Sequence, residues 1–565
     1  MIEPSASTAA RYLITAALPY ANGRIHIGHV AGAYLPADIC VRYLRLRGRE
    51  AAFICGSDEN GVPITVTAAR EGVEPLEIID RYHFANARAF TRLGIEFDVY
   101  DRTSSERHSR VSQAFFLRLH EQGHIQRRTT EQLYCAACDR FLPDRYVEGT
   151  CPFCNRPGAK GDQCESCGRM IEAVKLIEPK CALCGAAPAV RETDHWFLRL
   201  DAFEKDLQAY LDAHPHFRDN VKRFSRNLLK QGLTPRAITR DLSWGVPVPL
   251  DGMEGKVLYV WFDAPIGYIT FTQAWAESRG EPDLWELYWK TPDARIVHFI
   301  GKDNIVFHAL VWPAMLMGHG GFELPFDIVA NEFLNIRGAK TSTSRNYAVW
   351  VDEYLDAFPP DPLRYYLTAI APEGSDSDFS WEEFQQRNNS ELADTLGNFI
   401  QRTLAFAGRY FQGAVPKTGA LSEAAQGMLA EVESARAELG ELLDGHRYKQ
   451  ALQRLMRLAQ AGNQFLEAEK PWSARGPDPA RCAMAVSAAL RVVEALSVFM
   501  APFLPFSAVK LRTMLNLSPL APGAWDGPGE LRPGHAIREP EILFRKFEDE
   551  EIRPHAAKLA GTMAM

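Results

Sequence analysis

Short apolar runs alternate with segments of helical periodicity along the first part of the chain. Tyr12–Leu18 is apolar and β-prone, and Pro19-Tyr20-Ala21-Asn22-Gly23 breaks it. From His26 the apolar spacing turns helical and holds to about Leu46, with Gly48 as the stop. Ala51–Cys55 predicts a second buried strand, closed by Gly56-Ser57-Asp58-Glu59-Asn60-Gly61. Strand, helix, strand is a βαβ unit with a right-handed crossover, so an α/β fold with a doubly wound, parallel, Rossmann-like sheet is expected. Arg81–Leu93 and Ser105–Gln122 have apolar residues at three- and four-residue spacing and predict amphipathic helices. Further strands are expected at Lys256–Phe262, Arg295–Ile300 and Phe326–Ala330. From about Asn388 the pattern is helical only, over 390–412, 421–444, 446–469, 479–501 and 504–515, and predicts an all-α C-terminal domain.

Between these regions the apolar pattern fades and cysteine takes over. Of 11 cysteines, eight form the pairs Cys135/Cys138, Cys151/Cys154, Cys164/Cys167 and Cys181/Cys184. Each Cys-x-x-Cys pair is a knuckle that offers two thiolates to one metal, and four thiolates close a tetrahedral zinc site. Two structural zinc ions are expected, with no open position for water. The expected arrangement is nested: 151/154 with 164/167 inside, 135/138 with 181/184 outside. A sequential pairing stays open, and disulfides and an iron–sulfur cluster are the competing readings. Cys40, Cys55 and Cys482 stand alone and read as small core residues.

Composition narrows the partners. The 565 residues allow three or four domains, and 46% hydrophobic and 24% charged residues are ordinary for a globular chain. A net charge of −8 excludes a globally basic nucleic-acid binder, so an RNA surface has to be a local patch. The start of the chain has no long apolar run of the secretory kind. The most apolar region, Cys482–Phe506, contains Arg491 and Glu494 and reads as a buried helix. A cytoplasmic location is expected.

The chemistry gathers where strands end. His26-Ile27-Gly28-His29 lies on the first turn of a helix that follows a strand. Free backbone N–H groups and the positive end of the helix dipole suit polyphosphate there. Two imidazoles three residues apart share a face, and Gly28 leaves room for a flat base. Asp58, at the end of the second strand, offers a carboxylate to an ammonium group; capping the next helix is its alternative role. Asp303, in Gly301-Lys302-Asp303-Asn304, is placed to accept from a ribose.

These motifs resemble the methionyl-tRNA synthetase family of class I aminoacyl-tRNA synthetases. The resemblance rests on Ala17–Gly23 with His26–His29, on the knuckled insertion, and on Arg240-Asp241-Leu242-Ser243-Trp244-Gly245. It rests further on Trp261–Tyr268, on Gly301–Met315, and on Lys340-Thr341-Ser342-Thr343-Ser344, which resembles the KMSKS loop with Thr343 at its second lysine. It spans Tyr12 to about Asp549. It implies ATP-dependent ligation of methionine to tRNA(Met), initiator tRNA included, through a methionyl-adenylate, with Mg²⁺ accompanying ATP. The implied catalytic residues are His26, His29 and Lys340; Gly28, Gly301, Asp303, Ser342 and Thr343 join them around ATP. Leu18, Tyr20, Asp58, Trp261, Ala264, Pro265, Tyr268 and His308 are implied around methionine, and Asn398, Arg402 and Trp472 at the anticodon. Arg345 is expected to assist Lys340. The family commonly carries His where this chain has Asn60.

The matching divisions are a catalytic half over 1–122, a connective insertion over 123–238, and the second catalytic half over 239–325. A stem-contact region with the loop follows over 326–387, then a helical anticodon-binding domain over 388–540 and a return segment and tail over 541–565. In the last of these, Leu543-Phe544-Arg545-Lys546 resembles a strand-like return. A monomer is expected. Another class I synthetase, or a zinc-bearing tRNA-binding protein without catalysis, are the alternatives.

Overall fold

The structure, a computed structural model, describes residues 11–143, 146–161, 164, 167, 169, 171–336, 338–340, 347–527 and 529–563. It divides into two compact units: residues 1–24, 53–88 and 97–330, and residues 25–52, 89–96 and 331–565.

The first unit is built on a five-stranded sheet. Its spatial order is Asp327–Asn331, Ala294–Gly301, Arg11–Ala16, Glu50–Ser57, Val99–Arg102. Arg11–Ala16 runs parallel to Ala294–Gly301, with Leu13 opposite Ile296 and Ala16 opposite Phe299. Leu13, Ile14, Phe53, Ile54, Phe299 and Ile328 are fully buried, as strands covered on both faces require. The order reverses between the first and fourth strands, so the crevice beyond Ala16 and Gly301 is where a ligand belongs.

The insertion rises on a long antiparallel ladder, Ile125–Cys135 against Ala189–Leu198. It carries a small sheet of Val147–Thr150, Ala159–Lys160 and Ile177–Cys181. The strand expected over Lys256–Phe262 is shorter. It ends at Leu258, opposite Thr239. Past that point the partner strand has run out, and the N–H groups of Phe262 and Asp263 turn back to the Tyr259 carbonyl, starting the helix Val260–Asp263.

The second unit contains the run Ile27–Leu46, with a π-helical segment at Val30–Tyr34, and the C-terminal helices. These are Asn388–Tyr410 (π-helical to Gly397), Glu423–Asp444, Tyr448–Glu469, Pro479–Phe499 and Pro505–Met514. Ser422 and Asp478 cap two of them, accepting from Ala425 N and Arg481 N. Pro479–Phe499 is long and apolar enough to cross a membrane, but 83% of its most apolar window is buried inside the protein, as expected of a core helix. Leu543–Lys546 forms no strand. Side-chain amides hold this stretch instead of a sheet partner: Asn388 donates to the Arg545 carbonyl, and Asn389 exchanges two bonds with Phe547. A helix, Asp549–Met563, follows that the sequence pattern did not announce.

Within this unit Arg364 is fully buried. It donates to Asp38 at 2.6 Å and to the carbonyls of Pro502, Phe503 and Gly94. Arg42 also donates to Asp38 at 2.8 Å and to the Gly94 carbonyl at 2.6 Å, so Arg364→Leu takes this donor from the Pro502 and Phe503 carbonyls and weakens the pairing of Asp38; a loss of about 3 kcal/mol is expected in denaturant unfolding.

Candidate active site and metal centres

At the crevice of the first unit, Tyr20 and Asp58 meet through two backbone bonds: Ala21 N to Asp58 O, and Asp58 N to Pro19 O, each 2.9 Å. They border a small cavity with Leu18, Trp261, Ala264, Pro265, Tyr268 and His308. The eight residues expected around methionine are therefore together. Ala17, Asn304 and Phe307 also line the cavity and were not foreseen. Phe307 stacks on Trp261 at 4.1 Å between centroids, and Tyr20 meets Trp261 edge-on. Only the helical position just before His308 could have signalled Phe307.

The His308 Nδ1 faces the Asn304 carbonyl at 3.1 Å, so it carries the proton and Nε2 accepts from the Tyr268 hydroxyl at 2.9 Å. Burial lowers the His308 pKa to about 4, which keeps the ring neutral. Burial also raises the Asp58 carboxyl well above its ordinary range, and nearby Asp263 adds to this. Asn60 donates to Asp263 at 2.6 Å and to the Thr103 carbonyl at 3.3 Å. Asp58 does not cap the following helix; Gly61, at φ 89°, precedes it. Asp303 is exposed in a short 3₁₀ turn after Gly301, where a Cβ on residue 301 would sit 2.7 Å from Asp303 Oδ1.

The His26–His29 turn lies in the second unit, and its backbone differs from expectation. The N–H of Ile27 bonds to Val349 O, that of Gly28 to His26 Nδ1, and those of His29 and Val30 to His26 O. The His26 N–H bonds to His29 Nδ1 at 3.3 Å. No N–H of this turn is left for a phosphate. The two histidines instead make a reciprocal capping box, and their rings stack at 3.7 Å. Because each Nδ1 accepts, each Nε2 carries the proton. Burial lowers the pKa of His29 to about 4. It lowers that of His26 well below the ordinary value, with His29 adding to the effect. The turn thus presents two neutral Nε2–H donors. Ile25–Ile27 is held by Val349–Val351, and His26 packs edge-on to Trp350.

The eight paired cysteines fall into the nested quartets. Cys135, Cys138, Cys181 and Cys184 form one, and Cys151, Cys154, Cys164 and Cys167 the other, all four sulfurs of each within 4.8 Å of one another. Neighbouring sulfurs are 3.5–3.9 Å apart. Four ligands at a Zn–S distance of about 2.3 Å define a tetrahedron with an edge of about 3.8 Å, so both quartets fit the ion. No disulfide joins any of the eleven cysteines, and Cys40, Cys55 and Cys482 are buried.

The family model for class I tRNA synthetases (M) matches residues 12–404, and that for the anticodon-binding domain of methionyl tRNA ligase matches residues 415–564. The chain belongs to the methionyl-tRNA synthetases. A methionine–tRNA ligase from Porphyromonas gingivalis is 49% identical over 98% of this chain and 81% of its own. One from Pyrococcus horikoshii is 48% identical over 96% of this chain and 76% of its own. A Mycobacterium tuberculosis methionyl-tRNA synthetase bound by methionyl-adenylate superposes with a TM-score of 0.80 at 28% identity, covering 95% of this chain and 100% of that one. Agreement at this level along the chain disfavours another class I synthetase or a binding protein without catalysis.

In the C-terminal helices, Arg402 lies over Trp472 at 5.1 Å and pairs with Glu467; Trp472 is 42% exposed, and Asn398 is exposed on the same helix as Arg402. Lys340 ends the short strand Ala339–Lys340, paired with Asn335. Its side chain, and Ser342, Thr343 and Arg345, lie outside the described residues.

Proposed function

We propose that the cavity beside Asp58 is the methionine site and that the His26–His29 turn holds the phosphates of ATP. The reaction is that of the family: methionine and ATP give methionyl-adenylate and diphosphate, and the tRNA(Met) ribose then takes the methionyl group and AMP leaves. In the first step the methionine carboxylate attacks the α-phosphate in line, so no covalent protein intermediate is needed. The Nε2–H groups of His26 and His29 donate to the phosphate oxygens where charge develops, and Lys340 adds a positive charge from the loop containing Ser342 and Thr343. Mg²⁺ arrives with ATP. Gly301 and Asp303 hold the ribose, and Gly28 lies under the base. The quartets hold two structural zinc ions. Arg402, Asn398 and Trp472 read the anticodon of elongator and initiator tRNA alike. We further infer a cytoplasmic monomer.

The aromatic wall carries the assignment. Tyr20, Trp261 and Phe307 offer flat, apolar faces to a flexible thioether, and Asp58 alone among the lining groups is placed to hold an ammonium. Diphosphate exchange into ATP, run without tRNA on each of the twenty amino acids, tests it. Exchange with methionine alone is expected; preference for another amino acid rejects the pocket.

Asp58 adds a thermodynamic signature. Burial and Asp263 raise its pKa, so the empty site holds the carboxyl protonated to a higher pH than an exposed carboxylate. Methionine's ammonium stabilises the carboxylate, so binding expels a proton. Calorimetry over a pH series in buffers of different ionisation enthalpy is expected to show proton release that disappears in Asp58→Asn, together with a loss of affinity on the order of 2–3 kcal/mol.

A further inference from the structure

The helix Tyr448–Glu469 lies beside the rod Asn388–Tyr410. Asn463 donates to the Thr395 carbonyl at 3.0 Å, and Arg402 pairs with Glu467 at 2.7 Å. Toward the other end of this helix pair from Trp472 is a groove of about 300 Å³, lined by Arg387, Glu391 and Thr395 on one side and Lys449, Gln453 and Arg457 on the other. Arg387 is neutralised by Glu383 at 2.8 Å and Glu391 at 3.1 Å, and Glu391 also accepts from the Tyr365 hydroxyl at 2.5 Å. Lys449, Gln453 and Arg457 are different. They repeat every fourth residue, so they form one stripe, and all three are exposed. Among the described residues, neither Lys449 Nζ nor the Arg457 guanidinium has an ion-pair or hydrogen-bond partner. Glu373 accepts from the Lys449 backbone N–H at 3.0 Å, and Glu391 is bonded to Arg387 and Tyr365. On a chain of net charge −8, the two cations flanking an amide still form a stripe of unpaired positive charge beside carboxylates that are bonded elsewhere, the local patch a polyanion needs.

We propose that this groove grips the sugar–phosphate backbone of the bound tRNA, with Lys449 and Arg457 on phosphates and Gln453 on a ribose hydroxyl. The proposal rests on the reading of Arg402 and Trp472 as anticodon contacts, and the groove continues the same two helices. Lys449 lies about 30 Å along its helix from the end that carries Trp472, so the groove meets RNA outside the anticodon. The backbone positions of the two residues are about 12 Å apart along the axis, a spacing that lets their side chains follow more than one phosphate of a single strand. No base-specific pairing is offered, so the groove positions the RNA without reading it.

The test compares wild type with Lys449→Ala/Arg457→Ala, first checked for an unchanged melting temperature. Methionine-dependent diphosphate exchange without tRNA is expected to be unchanged. The KM for tRNA rises about tenfold or more, and the slope of log affinity against log salt becomes shallower by about 1 for each phosphate no longer neutralised. The penalty for a tRNA with an altered anticodon stays the same. An unchanged KM and slope overturn the proposal. A changed anticodon penalty overturns its sequence independence. Trp472→Ala separates the two readings. If it leaves anticodon discrimination intact while the groove variant still weakens tRNA, the anticodon reading fails and the groove stands.

Discussion

The His26→Ala/His29→Ala variant is expected to lose methionine-dependent diphosphate exchange by about three to four orders of magnitude. Removing one preorganised donor from a developing oxyanion typically costs 10²–10³ in rate. Here two donors go together, and their mutual capping goes with them. The loss is expected in kcat more than in the KM for methionine, because the cavity proposed for methionine is built from other residues. Gln and Asn separate the donor from the cap. An Asn amide stands in for Nδ1, which here accepts from the backbone; a Gln amide reaches toward Nε2, which here donates outward. His29→Gln is therefore expected to keep more activity than His29→Asn. The depressed pKa values have a definite sign. Both rings stay neutral as pH falls from 8 to 6, so the exchange rate shows no acid limb near 6.5 from these groups. ¹⁵N spectra of the free enzyme at pH 6 are expected to show neutral Nε2–H tautomers. A charged imidazolium signal for His29 at that pH, or full exchange activity in the double alanine variant, overturns the assignment.

The reason the turn uses imidazoles explains what was and was not legible in the sequence. Residue spacing located the motif on the first helical turn after a strand, and the structure agrees. It also suggested free backbone amides, which is the usual condition of a helix N-terminus. That inference failed because Nδ1 of His26 and of His29 are themselves cap acceptors, Val349 O takes the Ile27 N–H, and His26 O takes those of His29 and Val30. Ordinary cap rules favour Ser, Thr, Asp and Asn, so a histidine cap carries no local signal. Similarly, β-propensity over Lys256–Phe262 was real but local. The strand stopped where its partner Thr239–Asp241 stopped, a tertiary fact. The cavity was legible through spaced motifs, yet Phe307 was not, since an aromatic residue on an apolar helix reads as core. That the eight paired cysteines gather into two sets of four was legible, because thiolate pairs have few other uses in such a pattern; their nested grouping over a sequential one was decided by the structure.

Those quartets carry the second large effect. With zinc proposed in both, its removal is expected to cost on the order of 10 kcal/mol or more of folding free energy for each site, and the two sites differ in what they hold. The outer quartet joins Cys135, the last residue of the long ladder strand, to Cys181, the last residue of Ile177–Cys181. It therefore closes the base of the module. The inner quartet closes only the loop from Cys151 to Cys167. Cys135, Cys151, Cys164 and Cys181 are themselves part of the module's core, with Leu133, Leu142 and Val147. Cys181→Ser is therefore expected to open the whole stretch between residues 136 and 180 to limited proteolysis. Cys164→Ser should expose only 152–166, with the ladder Ile125–Cys135 intact. Atomic emission on the purified chain should give two zinc ions, falling to one in either variant. Equal proteolysis in the two variants, or a wild type with a single metal, rejects the nested assignment. Methionine-dependent exchange is a separate readout. The cavity of Tyr20, Asp58 and Trp261 is formed without any cysteine of either quartet, so Cys164→Ser retains most of it.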